Sequence, residues 1–155
     1  MIRKVTVADI AKLVQVVRQT EVFKEAEIAV AQEVLELASK DEHEQEYSGY
    51  VYDNGSEVLG YYVFGQRPLT VATYDMYWIV VAPEVHGKGV ASTLLSHCEE
   101  NIQKRKGELI IVETSSTNKY DRTRAFYKKN HYAQAARIKN FYSKGDDLVI
   151  YIKHL

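Results

Sequence analysis

The sequence predicts an α/β fold of the α+β kind, with a mixed, mostly antiparallel central sheet flanked by helices in the order β-α-α-β-β-β-α-β-α-β-β. Three observations carry this reading. Apolar residues recur at helical spacing as far as Ala38, and from Tyr47 the signal changes to β-type composition. One amphipathic helix, opened by Gly87 and Gly89, stands between two strand-like runs, so those runs must lie parallel within an otherwise antiparallel sheet. No repeat and no Pro/Gly/Ser-rich linker interrupts the chain, so residues 1–155 are expected to form one domain.

Ile2 to Val5 reads as a short strand. Thr6 or Asp9 can cap the next helix, in which Ile10, Leu13, Val14 and Val17 fall on one face. A second helix is expected from about Lys24 to Ala38, with Ile28, Ala31, Leu35 and Ala38 as its stripe. Tyr47–Tyr52, Glu57–Phe64 and Val71–Val81 then form a meander, with Asp53-Asn54-Gly55-Ser56 as the first turn and Pro83 stopping the third strand. The following helix carries Val90, Leu94, Leu95, Cys98 and Ile102 on one face and ends at Gly107. Glu108–Glu113 is a strand and Asp121–Lys129 a short helix. Tyr132–Tyr142 and Leu148–Ile152 are strands joined across Lys144-Gly145-Asp146. The parallel pair matters most, because such neighbours can splay apart at one end to admit a ligand.

Composition narrows the function. At 155 residues a chain buries roughly 68–70% of its unfolded surface, enough for a full core and a cleft without staples. With 20 basic and 21 acidic side chains, the net charge of −1 gives no general attraction to nucleic acid or to a membrane surface. Cys98 is the sole cysteine, which excludes an internal disulfide, and no Cys/His spacing suggests a metal site. Asp9 and Lys12 interrupt any signal-peptide core, and the longest nearly apolar stretch, Met76 to Pro83, is far below the ~20 residues that span a bilayer. A reducing, cytoplasmic setting is the expectation.

The most informative stretch runs from Tyr77 to Ser92. A strand ends, a proline-bearing loop turns, and Gly87 and Gly89 open a helix. Glycines let a ligand approach the backbone, and the free N–H groups and dipole of a helix start attract phosphate oxygens. Lys88 adds a charge at the rim. A P-loop would require G-x-x-x-x-G-K-[ST], which is absent. Gly87, Gly89 and the later Glu113 imitate a dinucleotide fingerprint, but Ser92 replaces its third glycine and the repeated βαβ units are missing.

His86-Gly87-Lys88-Gly89-Val90-Ala91, after Val80-Val81-Ala82-Pro83-Glu84, resembles the acyl-CoA pyrophosphate loop of the Gcn5-related N-acetyltransferase (GNAT) family, [QR]-x-x-G-x-[GA]. His86 stands where that family has Arg or Gln. Phe126-Tyr127-Lys128-Lys129-Asn130-His131-Tyr132 is similar to the family's later Phe/Leu-Tyr-x-Lys-x-Gly-Phe/Tyr segment, with His131 at the glycine. Histidine is one of the few other types that tolerate a left-handed helix end. Tyr120 occupies the place of a cofactor-contacting Asn in many relatives, so that contact is not carried over.

The resemblance implies the rest of the expected site. Acetyl-CoA would enter between the parallel strands, with its pantetheine arm along Ile79, Val80 and Val81 and its pyrophosphate on the amides from His86 through Gly87, Lys88, Gly89, Val90 and Ala91. The reaction implied is direct attack of a primary amine on the thioester in a ternary complex. Tyr127 matches the tyrosine that protonates the departing thiolate, and a phenol of pKa near 10 holds its proton at neutral pH. Glu113 and Asp75 are the candidate bases. Glu21, Glu25 and Glu27 could rim an acceptor site, although a solvated helix face explains them better. Tyr61, Tyr62, Tyr74, Tyr77 and Tyr142 fall on strands that could line the acceptor cleft. His86, His97 and His131 read as cap or surface residues, Cys98 as a buried packing residue, and Ser115-Ser116-Thr117 as a loop. No metal is expected. The acceptor is read as a small-molecule amine and a homodimer is possible; a protein amine, or a CoA-binding sensor without turnover, are the alternatives.

Overall fold

A computed structural model describes residues 1–155. Seven strands form one sheet: β1 (Ile2–Lys4), β2 (Ser48–Asp53), β3 (Val58–Gln66), β4 (Thr73–Val81), β5 (Leu109–Ser115), β6 (Ala133–Ser143) and β7 (Asp146–His154), in the order β1-β2-β3-β4-β5-β7-β6. Four α-helices flank it: α1 (Ile10–Gln19), α2 (Glu25–Lys40), α3 (Val90–Lys104) and α4 (Asp121–Lys129). Short 3-10 turns at Val7–Asp9, Pro83–Val85 and Asn118–Tyr120 lead into α1, α3 and α4. The expected order holds, with β5 and β7 each extending beyond the predicted ends. No helix is long and apolar enough to cross a membrane.

Strand β3 sits at the centre because both of its faces are covered. Every residue from Val58 to Gly65 is buried. Tyr62 and Phe64 face α3: the Tyr62 hydroxyl lies 2.7 Å from His97 Nδ1, and the guanidinium of Arg105 stacks 4.7 Å over the Phe64 ring. By strand alternation Tyr61 and Val63 face the opposite layer, where α1 packs against β3 and β4. The α1 stripe is Ile10, Leu13, Val16 and Val17; Val14, expected in it, is only partly buried. Asp9 is no simple cap. Its carboxylate accepts from the Thr6 amide and takes both ends of the Arg3 guanidinium, which also donates to Asp53. This ties β1 to the start of α1 and to the β2–β3 turn.

Helices α3 and α4 each end in a Schellman turn. At the end of α3, Gly107 N–H donates to Ile102 and Lys106 N–H to Gln103. The left-handed residue is Lys106 (φ 61°), not the glycine. Gly107 is required for space instead, since a Cβ there would lie 2.3 Å from Ile102 Cγ2 and 2.8 Å from the Tyr74 ring. At the end of α4, Tyr132 donates to Tyr127 and His131 to Lys128, with His131 at φ 68°, the left-handed end expected there.

The sheet's central irregularity lies between β4 and β5. They pair in parallel only at Thr73–Leu109, Tyr74–Ile110 and Asp75–Ile111. Beyond that point β4 stays with β3 as far as Val81, and β5 stays with β7 as far as Ser115. Tyr77 is an extra residue in β4, since Val63 pairs with Trp78 and Phe64 with Met76. Such a bulge bends and twists its strand, and it sits where the parallel pair separates.

Two stability outcomes follow from these contacts. Gly107→Ala is expected to lower unfolding free energy by about 1–3 kcal/mol, the usual cost of forcing a methyl into packed space, while Lys106→Gly leaves it unchanged or raises it. Equilibrium urea unfolding of the two variants checks this. The Arg3 guanidinium and the Thr6 amide hold the Asp9 carboxyl below its ordinary range. A depressed carboxyl contributes stability above its unfolded pKa, about 3.9, and that contribution is lost as pH falls through the lower folded value. Arg3→Met should therefore cost more stability at pH 7 than at pH 2, read by thermal melts at both.

Candidate active site

The separation of β4 from β5 opens a cleft of about 550 Å³. Its walls are β4, the start of α3, α4 with the turn before it, and the Thr20–Phe23 connection between α1 and α2. Of the residues expected to hold a cofactor, Ile79, Val80, Val81, His86, Gly87, Gly89, Val90 and Ala91 all line it, and Lys88 does not.

The glycine turn is built for an acceptor-rich ligand. Pro83–Val85 forms one 3-10 turn, after which Gly87 and Gly89 adopt φ of 75° and 82°, angles that side chains resist. The amides of Gly87, Gly89, Val90, Ala91 and Ser92 meet no backbone acceptor, and open space lies beside both glycine α-carbons. Five unpaired donors therefore cluster at the positive end of the α3 dipole. The His86 side chain does more than cap. Nε2 donates to the Val81 carbonyl at 3.2 Å, and Nδ1 accepts from Arg122 at 2.9 Å, an arrangement that fixes the neutral Nε2–H tautomer.

Arg122, Lys119 and Lys129 also line the cleft, and no Asp or Glu does. These three cations escaped the sequence reading because they are scattered over the segment 119–129. Only the fold of α4 against the α3 N-terminus brings them to the glycine turn.

Tyr127 lies beneath the cleft lining rather than in it. Its ring is 3% exposed and packs on Phe126, Tyr132 and Tyr151, with centroids 5.4–6.1 Å away. Burial, then the nearby Cys98 and Tyr120, push its phenol well above the ordinary value, and its hydroxyl has no hydrogen-bond partner within the chain. Of the candidate bases, Asp75 is held by Arg67 at 2.7 Å, whereas the Glu113 carboxylate is exposed and carries neither a salt bridge nor a hydrogen bond. Asp75 is at the last paired position of β4, and Glu113 lies two residues beyond its partner Ile111 on β5.

Several expectations change. Tyr61, Tyr62 and Tyr74 are buried in the core and cannot line an acceptor cleft; Tyr77 and Tyr142 remain exposed. His97 is not a surface residue. It joins Tyr62 and Asn101 in a half-buried network, which pushes its pKa down through burial. Ser115 belongs to the end of β5 and donates to Asp146 at 2.5 Å. Cys98 is fully buried on α3, where burial raises its thiol pKa and keeps it unreactive. No cluster of three His, Cys, Asp or Glu side chains could hold a metal ion.

The same architecture recurs in known proteins. A crystal structure assigned to the GNAT acetyltransferases, from Desulfovibrio desulfuricans, is 32% identical over 99% of this chain and 98% of its own, with a TM-score of 0.94. An aminoglycoside 6'-N-acetyltransferase solved with coenzyme A shares the fold at 15% identity and a TM-score of 0.79, over 99% and 96% of the two chains. The ribosomal-protein-alanine N-acetyltransferase from Brucella melitensis does so at 20% identity and a TM-score of 0.76, over 100% and 99%. No protein of curated function matches by sequence. The family profile described as the acetyltransferase (GNAT) domain matches residues 45–134, a span that includes the parting strands, the glycine turn and α4. This chain belongs to the GNAT acetyltransferase family.

Proposed function

We propose that this protein transfers the acetyl group of acetyl-CoA to a primary amine of a small molecule by direct attack within a ternary complex. The observation that carries the reading is the glycine turn: five unpaired amides at a helix N-terminus, faced by Lys119, Arg122 and Lys129 in a cleft with no carboxylate. That end of the cleft suits the phosphates of CoA. The unpaired edge of β4 from Trp78 to Val81 offers backbone partners to an extended pantetheine arm. Relatives of the same fold have been solved with coenzyme A.

In the transfer, the neutral amine nitrogen forms a bond to the thioester carbon as the carbon–sulfur bond breaks. The thiolate takes a proton from Tyr127, and the nitrogen loses its surplus proton to Glu113 or to water beside it. Tyr127 suits the first task because burial keeps its phenol protonated and leaves the hydroxyl free to donate to sulfur. Glu113 suits the second because it is unpaired, whereas Asp75 is occupied by Arg67.

Acetyl-CoA at 100 times its Kd should raise stability by about 2.7 kcal/mol, while NAD and ATP at the same concentration should not; thermal-shift assays test this. Replacing Arg122 or Lys129 by Ala should weaken acetyl-CoA binding up to about fivefold per charge, and less as salt is added. Tyr127→Phe removes a hydroxyl with no partner in the free protein. It should leave folding and acetyl-CoA affinity unchanged and lower kcat at least about 100-fold; an unchanged kcat would remove Tyr127 from the mechanism.

A further inference from the structure

The two faces of the sheet are covered unequally. On one face, Ile110 and Val112 of β5 and Val149 and Tyr151 of β7 are buried; Tyr151 stacks on Tyr127 of α4 and Lys153 binds Glu99 of α3. On the other, α1 and α2 pack on β2, β3 and β4. Residues paired across strands share a face, so the register extends this second face across the sheet: Gly65 beside Asp75, Asp75 beside Ile111, Ile111 beside Ile152, and Ile152 beside Ala133. There the cover runs out. Ile111, Ile150 and Ile152 are only partly buried, and Ala133, Ala136 and Ile138 of β6 are exposed.

Strand β6 is the extreme case. None of its 11 residues is buried, whereas a strand in a layered fold ordinarily hides one face. Ile138 is 47% and Phe141 53% exposed. The whole chain exposes 8675 Å², where a folded monomer of this length exposes about 8,000 Å². The surplus approaches the roughly 800 Å² that each partner brings to a standard interface.

The chemistry of the open face selects its occupant. Its paired positions on β5, β7 and β6 carry the carboxylates Glu113 and Asp146 towards one end and no Lys or Arg, so nothing there attracts a nucleic acid or an anionic membrane. The remainder is aliphatic, without the bulky aromatic or Arg anchors by which one protein recognises a different one. A second copy needs no such anchor, since a two-fold axis sets the same patch against itself. We propose that this face is the interface of a homodimer, in which two copies stack their β5–β7–β6 half-sheets with Ile138, Ile150 and Ile152 of each chain at the centre. Stacked sheets lie about 10 Å apart with interdigitated side chains. Edge-to-edge pairing would instead leave both faces of β6 in water, and the left-handed Asn140 (φ 55°) and the shifted register between Ile138 and Ser143 spoil a regular edge.

Light scattering on the eluting protein should give twice the mass of one chain at about 10 µM. Ile138→Lys and Ala133→Arg change side chains that are exposed in the single chain, so each should keep the far-UV circular dichroism of the unmodified protein. Each change enters the interface twice, and should raise the dimer dissociation constant at least about 100-fold. Leu69→Lys, equally exposed but on the β3–β4 connection, should leave the dimer intact. A chain that is monomeric at about 100 µM would overturn the proposal and leave the face to a different partner. A dimer that survives both charged substitutions, or one that Leu69→Lys dissociates equally, would overturn it as well.

Discussion

The three-residue limit on parallel pairing between β4 and β5 is the constraint on which the molecule depends. Were the register from Thr73–Leu109 to Asp75–Ile111 continued along both strands, the sheet would close and no cleft would exist. Each strand can leave the other because each retains an antiparallel partner, β3 or β7, for its remaining length. The unpaired backbone edges carry a cost unless water or a ligand satisfies them. A cleft formed this way is therefore already a receptor for an extended chain, before any side chain is considered.

The helix ends then assign roles to the two ends of that opening. The left-handed glycines before α3 withhold amides from the helix and present them to the cleft. The Schellman turn after α3 starts β5 directly beneath Tyr74, where only a residue without Cβ fits. The turn after α4 fixes Tyr127 and Tyr132, so that the ring of Tyr127 is clamped while its hydroxyl is left free. Local backbone chemistry at three helix ends thus sets the glycine turn, the strand spacing and the position of the proposed proton donor.

The element order, the parallel crossover and the glycine turn were legible in the sequence because each rests on a local signal: periodicity, composition, or two glycines ahead of an apolar stripe. His131 was legible for the same reason. Distribution across elements hid the rest. Lys119, Arg122 and Lys129 have no motif spacing and meet the glycine turn only through packing of α4. The tyrosines misled because strand alternation around a doubly covered β3 buries Tyr61 and Tyr62 on opposite faces, and composition cannot show that both faces are covered. The pairing of Asp75 with Arg67 spans the β3–β4 turn and could not be separated in advance from a free carboxylate.

A net charge of −1 conceals a cationic cleft. Lys119, Arg122 and Lys129 line it, and no Asp or Glu does. On the acetyl-transfer proposal, this cationic surplus draws the polyanionic end of the co-substrate to the glycine turn. The same arrangement limits where chemistry can occur. A carboxylate beside the turn would oppose that attraction, so under the same proposal the uncharged walls formed by Phe23 and Ile79 are where an amine would meet the thioester with the least electrostatic opposition. Tyr127 lies beneath the cleft lining, against Phe126, with a phenol that burial keeps protonated, so the acid proposed for the thiolate is a neutral one that leaves the cationic field of the cleft undisturbed.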